Sequence, residues 1–397
     1  MMRKNLRKIL APIASLRLTV ALFLMAMFLI LAGTLAQVNQ GIWEVIHTYF
    51  RSLFVWIPLQ VFVPDQIKLP GYIPFLGGFA ICGLLLINLI AGHVVRFRAG
   101  VKHIGMWMIH SGIILLIVGE IVTGLLAYEG NLSLRVGGSS NFTENLHAVE
   151  LAIIDTSDEK VDKVTVVSQR LLEKAAWDER VIEHEELPAS IKVNQWMGNS
   201  EMFTPGQAPP GLMPLATHGE ARQFLVRSIP KISGVEGNQI NIPTAVVTFF
   251  HNGQEIGRYL LSFYIDQPQT LIVGDKRYQV FLRLERRYKP YTIHLLKFTH
   301  EKYPGTETPR NFSSLVRLVD PAQNEDREVL IWMNNPLRYQ GETFYQASYM
   351  PDGQGSILHV VDNPGWLIPY ISCAVITLGM TIHFLISLVG FMRRSRR

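Results

Sequence analysis

Cysteine is nearly absent. Cys82 and Cys373 are the only two in 397 residues. Neither belongs to a C-x-x-C pair, which excludes dithiol redox chemistry, a disulfide framework and C-x-x-C-H haem attachment. Both read as small apolar helix residues. Also missing are a P-loop, a G-x-S-x-G elbow, an H-E-x-x-H helix and any paired-cysteine metal site. His184-Glu185-Glu186 reads as a charged surface run. There is no internal repeat and no low-complexity tract.

Acidic residues are absent from three short basic stretches. Arg3, Lys4, Arg7, Lys8 and Arg17 lie near the start, Arg96, Arg98 and Lys102 near position 100, and Arg393, Arg394, Arg396 and Arg397 at the end. Charge is equally scarce in four apolar runs, at about 13–36, 72–95, 104–127 and 366–391. Each is long enough to cross a hydrocarbon layer of ~30 Å, which takes ~20 helical residues. By contrast, Tyr128–Gly365 carries 23 basic and 29 acidic residues, a net charge of −6. The overall charge of +5 is therefore not a nucleic-acid signature. The basic excess marks one side of a membrane. Four spans with both termini cytoplasmic satisfy every loop, and the acidic section is then expected outside. A cleaved signal peptide is the alternative for the first run, but the run is long for one and Thr34-Leu35-Ala36 is a poor cleavage site.

Between the first two runs, Ile42, Val45, Ile46, Tyr49, Phe50 and Leu53 recur at helical spacing. The expectation for 41–56 is an amphipathic helix on the outer membrane face, with Trp43 and Trp56 at headgroup level. A buried packing helix fits the same pattern. In the third run Gly105, Gly112 and Gly119 fall on one stripe, where another helix can approach closely. The section 128–365 is rich in short β-branched runs, such as Thr244–Phe250 and Ile357–Val361. Turn signals such as His251-Asn252-Gly253 separate them. The expected fold class is integral membrane α+β. A large extracytoplasmic, mostly antiparallel β domain (128–365) is inserted between helices three and four, flanked by membrane segments at 1–127 and 366–397. Pro205–Pro214 reads as a long loop.

Polar groups inside the spans are informative because the bilayer penalises them. His110 lies about six residues, or ~9 Å, from the cytoplasmic end of span three. His383 lies about eight residues, or ~12 Å, from that of span four. Opposite helix directions give them similar depth. A neutral imidazole there is either a haem-iron ligand or a histidine bonded to a neighbouring helix. His93 and His103 are read as residues of the hydrated basic loop. Glu120 is either interfacial or part of a polar path.

Several segments resemble the ResB family, also called CcsB, of the system II cytochrome c maturation machinery. They are Ser15–Thr19 with Gly33-Thr34, His110–Gly112, Tyr128–Gly130, Pro290-Tyr291, Lys297-Phe298, Tyr303–Thr306, Phe312–Ser314, Asn335–Gly341, Phe344–Tyr349 and Pro364–Trp366. The resemblance implies a non-enzymatic subunit that moves haem b to the outer face of a bacterial inner membrane. There a CcsA-type partner would join it to apocytochrome c. It implies His110 as an axial ligand, with Trp107 as a pocket neighbour, and adds little to His383. The partner's tryptophan-rich W-x-W-D motif is missing here, so this chain alone is expected to be incomplete as a synthetase. The competing reading is a membrane-tethered scaffolding module that binds a client and no cofactor. A solute transporter finds no support in broken-helix signals or repeat symmetry.

Overall fold

A computed structural model describes residues 10–395, except 39, 65, 97–99, 159–160, 232–240, 266, 303–304 and 306–308. Arg3, Lys4, Arg7, Lys8, Arg98, Arg396 and Arg397 of the basic stretches lie outside the described residues, as do Tyr303, Pro304 and Thr306. The chain divides into two compact units: one running up to Tyr128 and resuming at Asp362, the other within Glu129–Val361.

The first unit holds four helices long and apolar enough to cross a membrane: α1 (Leu16–Ala36), α2 (Gly78–Arg96), α3 (Ile104–Leu126) and, after the second unit, a helix at Ile368–Ser395. Ser15 caps α1 by accepting a hydrogen bond from the Arg17 N–H. Pro369 sits in the first turn of the last helix, where a missing N–H costs nothing.

The segment after α1 differs from expectation. Within 41–56 helical structure covers Ile42–Phe50, and Val45 and Tyr49 are buried in a core with Leu29, Ala32 and Ala36 of α1. The packing alternative is thus the one the structure adopts. Trp56 instead lies on strand β1 (Phe54–Pro58), which pairs antiparallel with β2 (Tyr72–Leu76). The second apolar helix therefore starts at Gly78, not near Tyr72. Gly77 and Gly78 make the switch from strand to helix, since a Cβ on either would overlap the backbone of Ser52 or Phe50.

The second unit is β-rich. Its strands in chain order are β3 (Tyr128–Arg135), β4 (Ser139–Asp155), β5 (Lys163–Ser168), β6 (Val181–Ile182), β7 (Ser190–Met197), β8 (Ser200–Phe203), β9 (Leu225–Ser228), β10 (Thr244–His251), β11 (Gln254–Ser262), β12 (Gln269–Val273), β13 (Lys276–Lys302), β14 (Pro309–Asp320), β15 (Glu325–Trp332), β16 (Leu337–Tyr339), β17 (Glu342–Tyr349) and β18 (Gly355–Asp362). A ten-stranded sheet runs β15-β14-β13-β4-β3-β18-β17-β16, with β12 on β13 and β5 on β4. A four-stranded sheet runs β11-β10-β7-β6. A helix not foreseen from the sequence, α4 (Gln169–Asp178), buries Leu172 and Ala175. The last long apolar helix, Ile368–Ser395, is α5.

Two large hydrophobic cores and a smaller third one around Val246 and Leu260 share the unit, and the long strand β13 runs from the first to the second. Val280 and Leu282 of β13 enter the first core, whereas Tyr291, Ile293 and Leu295 enter the second. The stretch between is polar. Arg283 donates to Glu150 at 2.8 Å with both side chains buried, and Arg286 pairs with Glu144 at 3.0 Å. Burial pushes the Glu150 carboxyl up, while its hydrogen bond from Arg283 pulls it back. In the second core Lys289 and Tyr291 both donate to the buried Glu342.

Candidate functional site: a paired histidine on the third membrane helix

α3 carries different chemistry on opposite sides. One side is the glycine stripe. A Cβ on Gly105 would lie 2.6 Å from the Gly379 carbonyl and the His383 backbone N of α5. One on Gly112 would lie 3.0 Å from the Ser372 carbonyl. Only hydrogen fits at these points, so the α3 and α5 backbones approach closely. The expected role of the stripe is the one seen.

His110 is five residues past Gly105, about 140° further round the helix at 3.6 residues per turn. It faces α2. There its ring meets that of His93 edge to face, with centroids 4.9 Å apart. The Trp107 ring, one turn earlier on α3, meets the same His93 ring at 4.8 Å. His93 thus touches His110 and Trp107 alike. Its expected place in a hydrated loop is corrected: it lies on α2 and is half-buried. Its Nδ1 sits 3.1 Å from the Leu89 carbonyl one turn back. A carbonyl only accepts, so this contact assigns the hydrogen to Nδ1 and leaves the lone pair on Nε2. The bond turns the ring back along α2, away from its basic end.

His383 does not join this group. Its backbone packs on the glycine side of α3, and its side chain is exposed. His103 lies at the N-terminus of α3, half-buried. Glu120 is exposed on α3. Asn88 on α2 is a further polar residue that sequence reading missed. It is buried, accepts from Thr19 at 2.7 Å and donates to the Ser15 carbonyl at 3.2 Å, tying α1 to α2. A polar residue in an apolar run was signal enough for both Asn88 and His93. Among the described residues no cluster of three or more His, Cys, Asp or Glu could hold a bare metal ion.

The fit to haem is that of one axial imidazole. His110 sits in an apolar helix beside two flat rings, which suits an iron porphyrin. The two histidines as placed do not sandwich one iron. Metal–nitrogen bonds of ~2.0–2.1 Å would hold two opposed imidazole centroids roughly 6 Å apart, and these are closer.

The model of the ResB-like family matches residues 258–359. Over those residues the chain is similar to the ResB-like family. Protein NrfI of Wolinella succinogenes is 34% identical over 119 residues, which are 30% of this chain and 13% of that protein. The chain thus matches only a small part of its curated relative's length.

The ResB-like region runs from β11 to β18, and its motif residues mostly build the second core. Phe344 is fully buried. Asp320, also fully buried, accepts from the Tyr339 hydroxyl at 2.8 Å and from Gln340 at 2.7 Å. Gln340 and Gly341 take positive φ at the β16–β17 turn. Ser314 donates to Gln346 at 2.6 Å. His300, Phe312 and Tyr349 stack, with the His300 ring 4.6 Å from each of the other two. His110 lies outside the matched region, so its candidacy rests on its own surroundings.

Proposed function

We propose that this chain is a subunit of a cytochrome c assembly complex that carries haem through the bacterial inner membrane and presents it for attachment to apocytochrome c. The observation that carries the reading is the His110–His93–Trp107 cluster on two apolar helices of a chain similar in part to the ResB-like family. Haem b is cargo here, bound non-covalently and in passage. His110 supplies one axial nitrogen. Trp107 offers an aromatic face, and the apolar surface of α2 and α3 excludes water from the porphyrin. The chain holds the haem but does not form the thioether bonds. A CcsA-type membrane protein is the partner for that step. Both termini are cytoplasmic in this reading, and the β-rich unit faces outward.

Purification tests the reading. A Soret band in the isolated protein that weakens in His110→Ala supports it. A colourless protein that still associates with its client favours a scaffolding module. One observation favours that second reading: an open cleft of about 600 Å³ on the β-rich unit, lined by Glu183, His184, Glu185 and Phe250 among others.

A further inference from the structure

We propose that His93 is the positioning residue for His110: its Nε2 accepts the N–H of the His110 nitrogen that does not bind iron. This rests on the haem-carrying reading of His110.

An iron-bound imidazole keeps one ring N–H. In apolar surroundings that N–H must find an acceptor, because an unpaired buried donor costs ~1–3 kcal/mol. Ligating histidines accordingly donate to a carboxylate, a carbonyl or water, which fixes tautomer and ring direction and raises ligand basicity. What faces His110 from α2 is His93, half-buried, with its centroid 4.9 Å away. Two imidazoles joined by an N–H···N bond of ~2.9–3.0 Å have centroids about 5 Å apart. As placed the rings meet at 69° without such a bond; the separation is within reach of one and is too short for opposed ligation of one iron.

The tautomer of His93 also suits the role. With its hydrogen committed to the Leu89 carbonyl, its Nε2 can only accept. The result is an ordered chain: His110 donates to His93, and His93 donates to Leu89. Trp107 packs at 4.8 Å against the His93 ring and limits its rotation. The α2 backbone thereby sets the direction of the iron ligand on α3.

The test uses the full chain purified in detergent and titrated with haemin, comparing His93→Gln, His93→Phe and His110→Ala. The Gln amide oxygen keeps an acceptor near the Nε2 position, whereas Phe keeps the packing and removes the acceptor. The expected result is that His93→Phe weakens haemin affinity by about 10–100-fold and raises the reduction midpoint of the haem that remains. His93→Gln should stay close to wild type in both. Equal affinity and potential in all the His93 variants would overturn the proposal, since His93 would then only pack. Equal loss in Gln and Phe, with helical content unchanged, would also overturn it, since the imidazole itself would be required. If His110→Ala leaves haemin binding intact, the haem-carrying reading fails first. If His110→Ala loses haemin and His93→Phe does not, only the role of His93 fails.

Discussion

The rings of His93 and His110 meet edge to face 4.9 Å apart, although the sequence separates them by a basic loop. The contact has a simple origin. His93 bonds back to Leu89, so its side chain turns toward the preceding turn of α2 and meets the His110 ring. A residue near the basic end of α2 thus joins an apolar site, and His110 finds its partner in His93 and not in His383.

The glycine stripe should tolerate no side chain at its tightest point. Gly105→Leu would push into the Gly379 carbonyl and the α5 backbone. Overpacking of this kind costs about 1–3 kcal/mol. The expected outcome is a lower melting temperature in detergent. The same change at Gly83, where a Cβ meets nothing within 4 Å, should have little effect.

The membrane topology is tested by fusion. A reporter active only outside the cytoplasm should work after Gly138 or within Pro205–Pro214, and should fail after Arg397. Activity at the C-terminus would refute four spans with both ends inside.

The β-rich unit should fold alone. Its two main cores contain large, fully buried side chains such as Phe249 and Phe344, each contributing about 1.5–3 kcal/mol on burial. Circular dichroism of residues 129–361 should be dominated by β signal, with a small helical share from α4.

Within that unit, Glu150→Ala should be strongly destabilising. It would leave the buried Arg283 guanidinium without its carboxylate, and removal of one partner from a buried pair costs about 3–5 kcal/mol. Denaturant unfolding should show it. Arg317→Ala breaks an exposed pair with Asp326 and should cost far less.

Acid should also weaken this unit. The Asp352 carboxyl is held down by the Gln354 N–H and by Arg135, that of Asp326 by hydrogen bonds from Arg317, and that of Asp155 by Ser157. A depressed carboxyl stabilises the fold above its ordinary range and loses that contribution as pH falls through its folded value. Glu150 acts oppositely, since its raised carboxyl makes the folded state bind the proton first. Three groups outnumber one. Melting temperatures of the isolated unit should fall below about pH 4, and Asp352→Asn should flatten part of that slope.

The parts of the fold that sequence showed are those written in a strong local code. Four long apolar runs with little charge became four helices because length and hydropathy decide that outcome. Asn252 and Gly253 take positive φ at the β10–β11 turn, as such a pair does. The β1–β2 hairpin was hidden because Tyr72–Leu76 is as apolar as the helix that follows. Only Gly77-Gly78 marks the break. The passage of β13 from one core to the other was not legible either, since an alternating pattern does not say which core a strand serves. His93 was misplaced for a third reason: chain position gives the depth of a Cα, whereas a bonded side chain can project one turn away.

The haem content of His110→Gly protein, measured per molecule with and without added imidazole, tests the central claim most directly. If His110 is an axial ligand, removing its side chain vacates one iron position and leaves the apolar surroundings in place. Haem content and cytochrome c maturation should fall together, and free imidazole should partly restore both. His103→Gly should leave both unchanged. His110→Gly protein that keeps wild-type haem per molecule would contradict the account, as would a loss of protein abundance alone that imidazole does not relieve.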